Sequence, residues 1–406
     1  MTSSPKLTQR SVRGKRGVSL LSYGLIVGLV SVVALVAVTG IGSNVNDLMS
    51  TVSDRLGGTA ATGGSGGGSG ATPTPSPSPA FAFTSHTFTA CGAGPGPNGP
   101  LLADCQSAYS STGWAGDTNN FNISSQGFQD FTVPETGTYR ITSSGAQGAN
   151  VGGRSGGNGA VVRADFSLTQ GDTLTMVVGQ TGLFGEDGAG GGGGSFVVLN
   201  NGGQPLLVGG GGGGAEAHSS DTNDGGSGQT TTAGGQETPN RTDNERGARD
   251  PGTNGAGGEA GRASGGGGWT GDGEHGCHTN ASPGCSGSYT AGGGIAYGNG
   301  ATGGIGSDLT DGSNGDLPFG GFGGGGMGSR HNGYGGGGGG YSGGVGGTFD
   351  GLETGGGGGG SYIATGAVNV ATSDGEYENS SVFEGNPITT ISANSGEGSV
   401  TVELLP

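Results

Sequence analysis

The sequence predicts a two-part molecule: an N-terminal transmembrane-length α-helix, then an all-β sandwich that encloses a lattice of glycine helices. Three observations predict it. Residues 18–41 carry no charge. Beyond residue 80, short stretches alternate apolar and polar between turn residues. Finally, 80 of the 107 glycines fall from Gly145 to Gly360. Only 29% of the 406 residues are hydrophobic, too few for an ordinary core in a chain of this length. Much of the chain must be held by something other than apolar side chains.

Residues 1–17 form a basic leader in which Lys6, Arg10, Arg13, Lys15 and Arg16 have no acidic companion. The 24 residues that follow reach roughly 36 Å as a helix, enough to cross a bilayer. A removable secretory segment is shorter, about 7–15 residues. Val45, Leu48, Val52 and Leu56 continue at helical spacing until Gly57-Gly58, so one helix is expected over residues 18–56, embedded in the membrane over 18–41. The unpaired bases hold its start on the cytoplasmic side.

With Gly17 before Val18, "SYGLIV" at 22–27 and the tail "NVNDLMSTVSDRL", residues 10–56 resemble the type IV pilins, most closely their short Flp (Tad, type IVb) branch. The resemblance implies that a membrane prepilin peptidase cuts between Gly17 and Val18 and leaves the helix attached. It also implies that the pilus assembly machinery and other pilin subunits are partners. The precursor would sit in the inner membrane, and the product in an extracellular pilus or at the cell surface. The family normally has Glu immediately before the Tyr; here Ser22 precedes Tyr23. That Glu neutralises the N-terminal amine of a neighbouring subunit, a charge that is costly to bury alone. Ser22 cannot, and in related assemblies a subunit without the acid sits at the tip.

Residues 57–79 form a linker, a flexible coil over 57–71 and then "TPTPSPSP", which extends as polyproline II over roughly 25 Å. The outer domain occupies 80–406. After Gly17 the chain has nine arginines, no lysine and 31 acids, which excludes nucleic acid as a partner and excludes pili cross-linked through lysine.

Within the outer domain, strands are expected around Phe81 and Phe83, Tyr139 and Ile141, Val162 to Leu168, Leu174 to Val178, and Val400 to Leu404. Because the first and last of these lie at opposite ends of the region, both ends should share sheets. The glycine runs at 190–194, 209–214, 265–268, 323–326, 335–340 and 355–360 show no G-X-Y period, so collagen is excluded. Extended threefold glycine helices have no side chains to hold neighbours apart and can bond N–H to C=O between helices.

The segments "TACGAGPGPNGPLLADCQSAY", "FQDFTVPETGTYRITSSGAQGA", "GDTLTMVVGQTG", the repeated "GGGGGS" and the closing "GEGSVTVELL" resemble the glycine-rich domain of the anaplastic lymphoma kinase and leukocyte tyrosine kinase receptors. Bacterial and phage-tail adhesins look similar. The resemblance implies a TNF-like jelly-roll sandwich supporting polyglycine II helices, with loops that contact a ligand. Kinase motifs are missing, and no G-K-[ST] follows a glycine run, so neither kinase nor phosphate-loop chemistry carries over.

Four cysteines in an outer domain favour two local disulfides, Cys91 with Cys105 and Cys277 with Cys285, although three pairings are formally open. A metal site at Cys277, flanked by His275 and His278, is the rival reading, but the spacing matches no common zinc pattern. No HExxH or DxDxDG occurs, and Asp272, Glu274 and His275 lack a nucleophile, so no enzyme activity, metal or cofactor is expected. The loop at 215–263, with Arg241, Arg246 and Arg249, is either a solvated connector or a polar recognition edge. Phe319, Phe322, Tyr334 and Tyr341 either stack on sugars or a partner, or pack between glycine helices.

The leading functional expectation is a pilin-like surface subunit that presents a glycine-rich adhesin domain, in a minor or tip position, to a surface, glycan or protein ligand. The alternatives are a bulk filament subunit and a single-span anchored binding protein never assembled into a pilus.

Overall fold

A computed structural model describes residues 80–217, 223–239, 249–277, 290–306, 317–329, 333–348, 353–374 and 388–406. The leader, the 18–56 helix and the linker, with Gly17, Val18, Ser22 and Tyr23, lie outside the described residues. Among those described, no helix is long and apolar enough to cross a membrane. The chain divides into two compact units, Met1–Pro75 and Ser76–Pro406, and every described residue belongs to the second.

That unit is mostly β. Its strands are β1 (Ser85–Phe88), β2 (Phe121–Ser125), β3 (Phe128–Thr132), β4 (Gly137–Ser144), β5 (Val161–Leu168), β6 (Thr173–Val177), β7 (Ser195–Leu199), β8 (Leu207–Gly209), β9 (Gly276–Cys277), β10 (Thr290–Ala291), β11 (Tyr362–Ile363), β12 (Val368–Thr372), β13 (Thr389–Thr390) and β14 (Ser399–Leu404). One six-stranded sheet runs β1-β14-β4-β5-β12-β13 and a second β11-β8-β7-β6-β3-β2, while β9 and β10 pair alone. Neighbours are antiparallel except β12 and β13. Tyr139, Ile141, Val162, Val400 and Val402 from the first sheet meet Phe131, Leu174, Met176, Val197 and Leu207 from the second in one hydrophobic core. The two ends of the region do share a sheet: His86 pairs with Val402, and Val402 with Ile141.

Two expectations need correction. Phe81 and Phe83 precede β1 instead of forming a strand, because β14 stops at Leu404, whose N–H bonds to Thr84 O and leaves nothing for earlier residues to pair with. Their rings instead plug the core end, 5.9 and 5.0 Å from Phe131. The alternating pattern also missed a helix, α1 (Leu102–Ala108), which is one short segment started by Asp104 accepting the Leu101 N–H at 3.1 Å. Cys105 on α1 is disulfide-bonded to Cys91, with S–S 1.97 Å.

On β1, His86 sits edge-on to Phe88, Tyr109 and Trp114, with centroids 4.8, 4.5 and 5.0 Å away, and its buried Nε2 has no hydrogen-bond partner. Burial lowers its pKa from 6.5. Below that value the unfolded chain therefore takes up a proton that the folded chain resists, so stability falls as pH drops, levelling off once folded His86 also protonates. Thermal melts between pH 8 and 5 should show this slope, and His86→Phe should flatten it.

The glycine runs change hydrogen-bond neighbour at every residue. The N–H groups of Gly335, Gly338 and Tyr341 bond to Thr354, Gly357 and Gly360. Those of Gly336 and Gly339 bond to Ala189 and Gly192, and those of Gly337 and Gly340 to Ser264 and Gly267. Donor and acceptor advance together by three residues, the repeat of an extended threefold helix. The carbonyls of the same run accept from Gly211 and Gly214, from Gly326, and from Gly344 and Gly347. Six described segments thus enclose residues 335–340, and each N–H of the run finds a carbonyl partner. Residues 211–216 show the same alternation, bonding in turn to Gly339, Ala146, Gly226, Gly336, Ala149 and Asn223.

Side chains return where a neighbour is missing. Exposed Ala256 and Glu259 bracket buried Gly258, and Thr302 and Ile305 bracket buried Gly303 and Gly304. Where runs meet sheets, serines take over. Ser195 Oγ donates to Ser144 O at 2.7 Å and accepts the Gly179 N–H at 2.9 Å, and Ser361 Oγ donates to Gln229 O and accepts from Gly210. This gives the repeated "GGGGGS" its physical role. Ser195→Ala is expected to cost about 1–3 kcal/mol in chemical denaturation, since it strands a buried carbonyl and a buried N–H together.

Candidate functional site

The runs give the outer unit two poles. At one pole they join the sheets: Ser144 ends β4, Ser195 starts β7, Gly209 ends β8 and Tyr362 starts β11. Followed away from those strands, the hydrogen-bond register reaches Gly335 beside Thr354, Thr238 bridged to Gly355, Glu216 bridged to Asn223, Arg262 bonded to Gly347, and Ser329 bonded to Tyr334. Around this distal pole stand Ala217 and Asn223, Pro239 and Arg249, Cys277 and Thr290, Ser329 and Gly333, and Thr348 and Glu353. The described segments therefore end and resume there. Ala80, the first described residue, lies at the opposite pole. Ala80 N–H bonds to Pro134 O at 2.9 Å, next to the turn where Gly171 bonds to Val133.

At the distal pole lies a buried polar cluster. Arg262 Nη1 donates to Tyr334 Oη at 3.0 Å, and its guanidinium sits 5.4 Å from the ring centroid. Burial pushes the Tyr334 phenol up to about 12 against the opposing pull of Arg262, while the charges of Glu353 and Glu216 add to the rise. The cluster locks the start of the central run and contains no nucleophile poised beside a base. Phe184, 57% exposed, stands on the neighbouring turn where Gly185 bonds to Gly188.

The arginine candidates separate. Arg241 and Arg246 lie outside the described residues, on the connection between Pro239 and Arg249. Arg249 is half-buried and donates from Nη1 to Ala260 O, so it braces the lattice backbone. The aromatic candidates also separate. Phe322 is 1% and Tyr334 0% exposed, which leaves neither a ring face for a sugar and corrects the stacking role for both. An added Cβ on Gly127 would stand 2.1 Å from Phe322, a measure of how closely that ring is enclosed. Phe319 and Tyr341 are half-buried, and Tyr341 stacks on Tyr362 at 4.6 Å. Sequence reasoning missed Tyr362, Tyr297 and Trp269. The usable signal was position, since Trp269 directly follows the run 265–268 and Tyr362 follows Ser361.

With Cys91 and Cys105 bonded to each other, Cys277 and Cys285 remain; Cys285 and His278 lie outside the described residues. His275 Nδ1 accepts the Gly293 N–H at 3.1 Å, and Asp272 accepts from Ala296 N–H and Asn299 Nδ2. Both serve the loop backbone. Among the described residues no group of three or more His, Cys, Asp or Glu is placed to hold a metal ion. Compared with protein-family models and with curated proteins, the chain matches none.

Proposed function

We propose that the chain is a pilin-like cell-surface subunit whose outer domain, a TNF-like sandwich carrying a polyglycine II lattice, serves attachment to a surface, a glycan or another cell. The observation that carries this reading is the polarity of the outer unit: Ala80 lies at one pole, and the ends of the described lattice segments gather at the other. A lattice with six hydrogen-bonded neighbours around a run is a rigid mount, and rigid mounts make variable loops effective binding elements. Ser22 in place of the acid favours a minor or tip position over the filament bulk.

Mass spectrometry of sheared surface filaments tests the reading. The mature chain should begin at Val18 and be scarce relative to the main pilin. Gly17→Leu should leave uncut precursor in the inner membrane. An intact Met1 terminus, or a cut beyond Ile41, in surface material would replace the pilin reading with a single-span anchored binding protein.

A further inference from the structure

The outer face of the second sheet carries an aromatic belt that the distal loops do not share. Register places Tyr362, Val208, Phe196, Val177 and Phe128 in one line across β11, β8, β7, β6 and β3. Trp269 and Tyr297 lie over this line, stacked at 4.5 Å, with Tyr297 5.1 Å from Phe196 and 5.2 Å from Phe128. Tyr341 covers Tyr362. Phe196, Val177, Val208 and Trp269 are buried and form the floor of the belt, while Phe128, Tyr297, Tyr341 and Tyr362 are each only partly buried and form its accessible part.

The phenol oxygens separate these rings from structural tyrosines. Tyr109, Tyr139 and Tyr334 all spend their hydroxyls on Gln129, Glu135 O or Arg262. No hydrogen bond ties the Tyr297, Tyr341 or Tyr362 hydroxyl to any described residue, and none of the three is buried. Beside Tyr297 lies the half-buried Asp130 carboxylate, whose charge acts on the Tyr297 phenol and which receives Thr175 Oγ1–H at 2.6 Å on one oxygen.

We infer that this belt is a binding face for a neutral polysaccharide. Aromatic rings partly open to solvent suit the C–H faces of pyranose rings, and unspent phenols with a neighbouring carboxylate suit their hydroxyls. The Asp130 carboxylate, in a chain of net charge −17, disfavours anionic glycans, nucleic acid and acidic membranes. The inference rests on the adhesin reading and names a ligand class for it.

The full chain in detergent would be titrated with cellohexaose and chitohexaose and co-sedimented with cellulose and chitin, with heparin as the anionic control. The expected result is binding to a neutral probe and none to heparin. Tyr341→Ala and Tyr362→Ala should each weaken binding tenfold or more. Tyr341→Phe and Asp130→Asn, which keep the packing, should weaken it about threefold or more at unchanged melting temperature. Arg154→Ala at the distal pole should leave it intact. Absence of binding to every neutral probe, equal binding by all belt variants, or capture of a protein partner on the belt would each overturn the inference. Surface attachment that persists in Tyr341→Ala cells overturns it while sparing the adhesin reading. Oligosaccharide binding by a chain that never reaches the surface supports it while sinking that reading.

Discussion

Gly337→Val and Gly357→Val are each expected to destabilise the outer domain by more than about 3 kcal/mol, beyond the usual cost of overpacking. A Cβ at Gly337 would stand 2.2 Å from Gly344 O, and one at Gly357 2.0 Å from Gly235 O. The obstruction is backbone in both cases. It cannot swing aside as a side chain does, and its displacement would break amide bonds on several neighbours together. At about 2–4 °C per kcal/mol for domains of 150–250 residues, the melting temperature should drop by roughly 6–12 °C. Gly67→Val in the linker should change nothing measurable. The sign is decisive, because in an unstructured glycine tract the same substitution would be mildly favourable through the entropy of the unfolded chain. Unchanged or raised stability in both run variants, with amide exchange as fast as in the linker, would remove the lattice.

Loss of the Cys91–Cys105 bond is the second large effect. It closes a loop with a sequence separation of 14, for which the chain-entropy argument gives about 3 kcal/mol. The structural setting concentrates the damage. β1 is an edge strand held only by β14, and Cys91 follows it by three residues. Cys91→Ser/Cys105→Ser should therefore speed amide exchange at Ser85–Phe88 and around α1 well before it affects Tyr139 or Ile141. Uniform protection across both regions would refute the local staple. Non-reducing peptide mapping should also find Cys277 linked to Cys285; free thiols there would restore the metal reading of His275, Cys277 and His278.

Much of the fold was legible because its signals are local. Alternation identifies β4 and β14 directly, since each presents one face to the core, with Tyr139 and Ile141 opposite Leu404 and Val402. Alternation failed where both faces are covered or where pairing partners run out. β3 hides because its pattern is inverted at one end: Gln129 is buried in the core while apolar Phe128 lies outward beneath the belt. Phe81 and Phe83 alternate without forming a strand because nothing lies opposite them. The glycine runs declared a lattice but not its neighbours. Which run lies beside which is fixed by contacts far apart in sequence, such as Gly335 with Thr354 and Gly336 with Ala189. The candidate aromatics were chosen for being in a glycine-rich stretch, a criterion that does not separate Phe322, enclosed against Gly127, from Tyr341 on the open side.

The three-residue alternation has a genetic consequence. Removing one residue from 335–340 turns everything after it by a third of a revolution, so that each later N–H points at the wrong neighbour, as a frameshift misreads every later codon. Losing three residues restores the phase but shortens the segment by about 9 Å against partners of unchanged length. Run interiors should therefore be frozen in length as well as in composition. At the distal pole a connection can grow or shrink without disturbing the phase of any helix, because it begins after one run has ended and stops before the next begins. Such a molecule can exchange what it contacts, loop by loop, while the support beneath stays fixed.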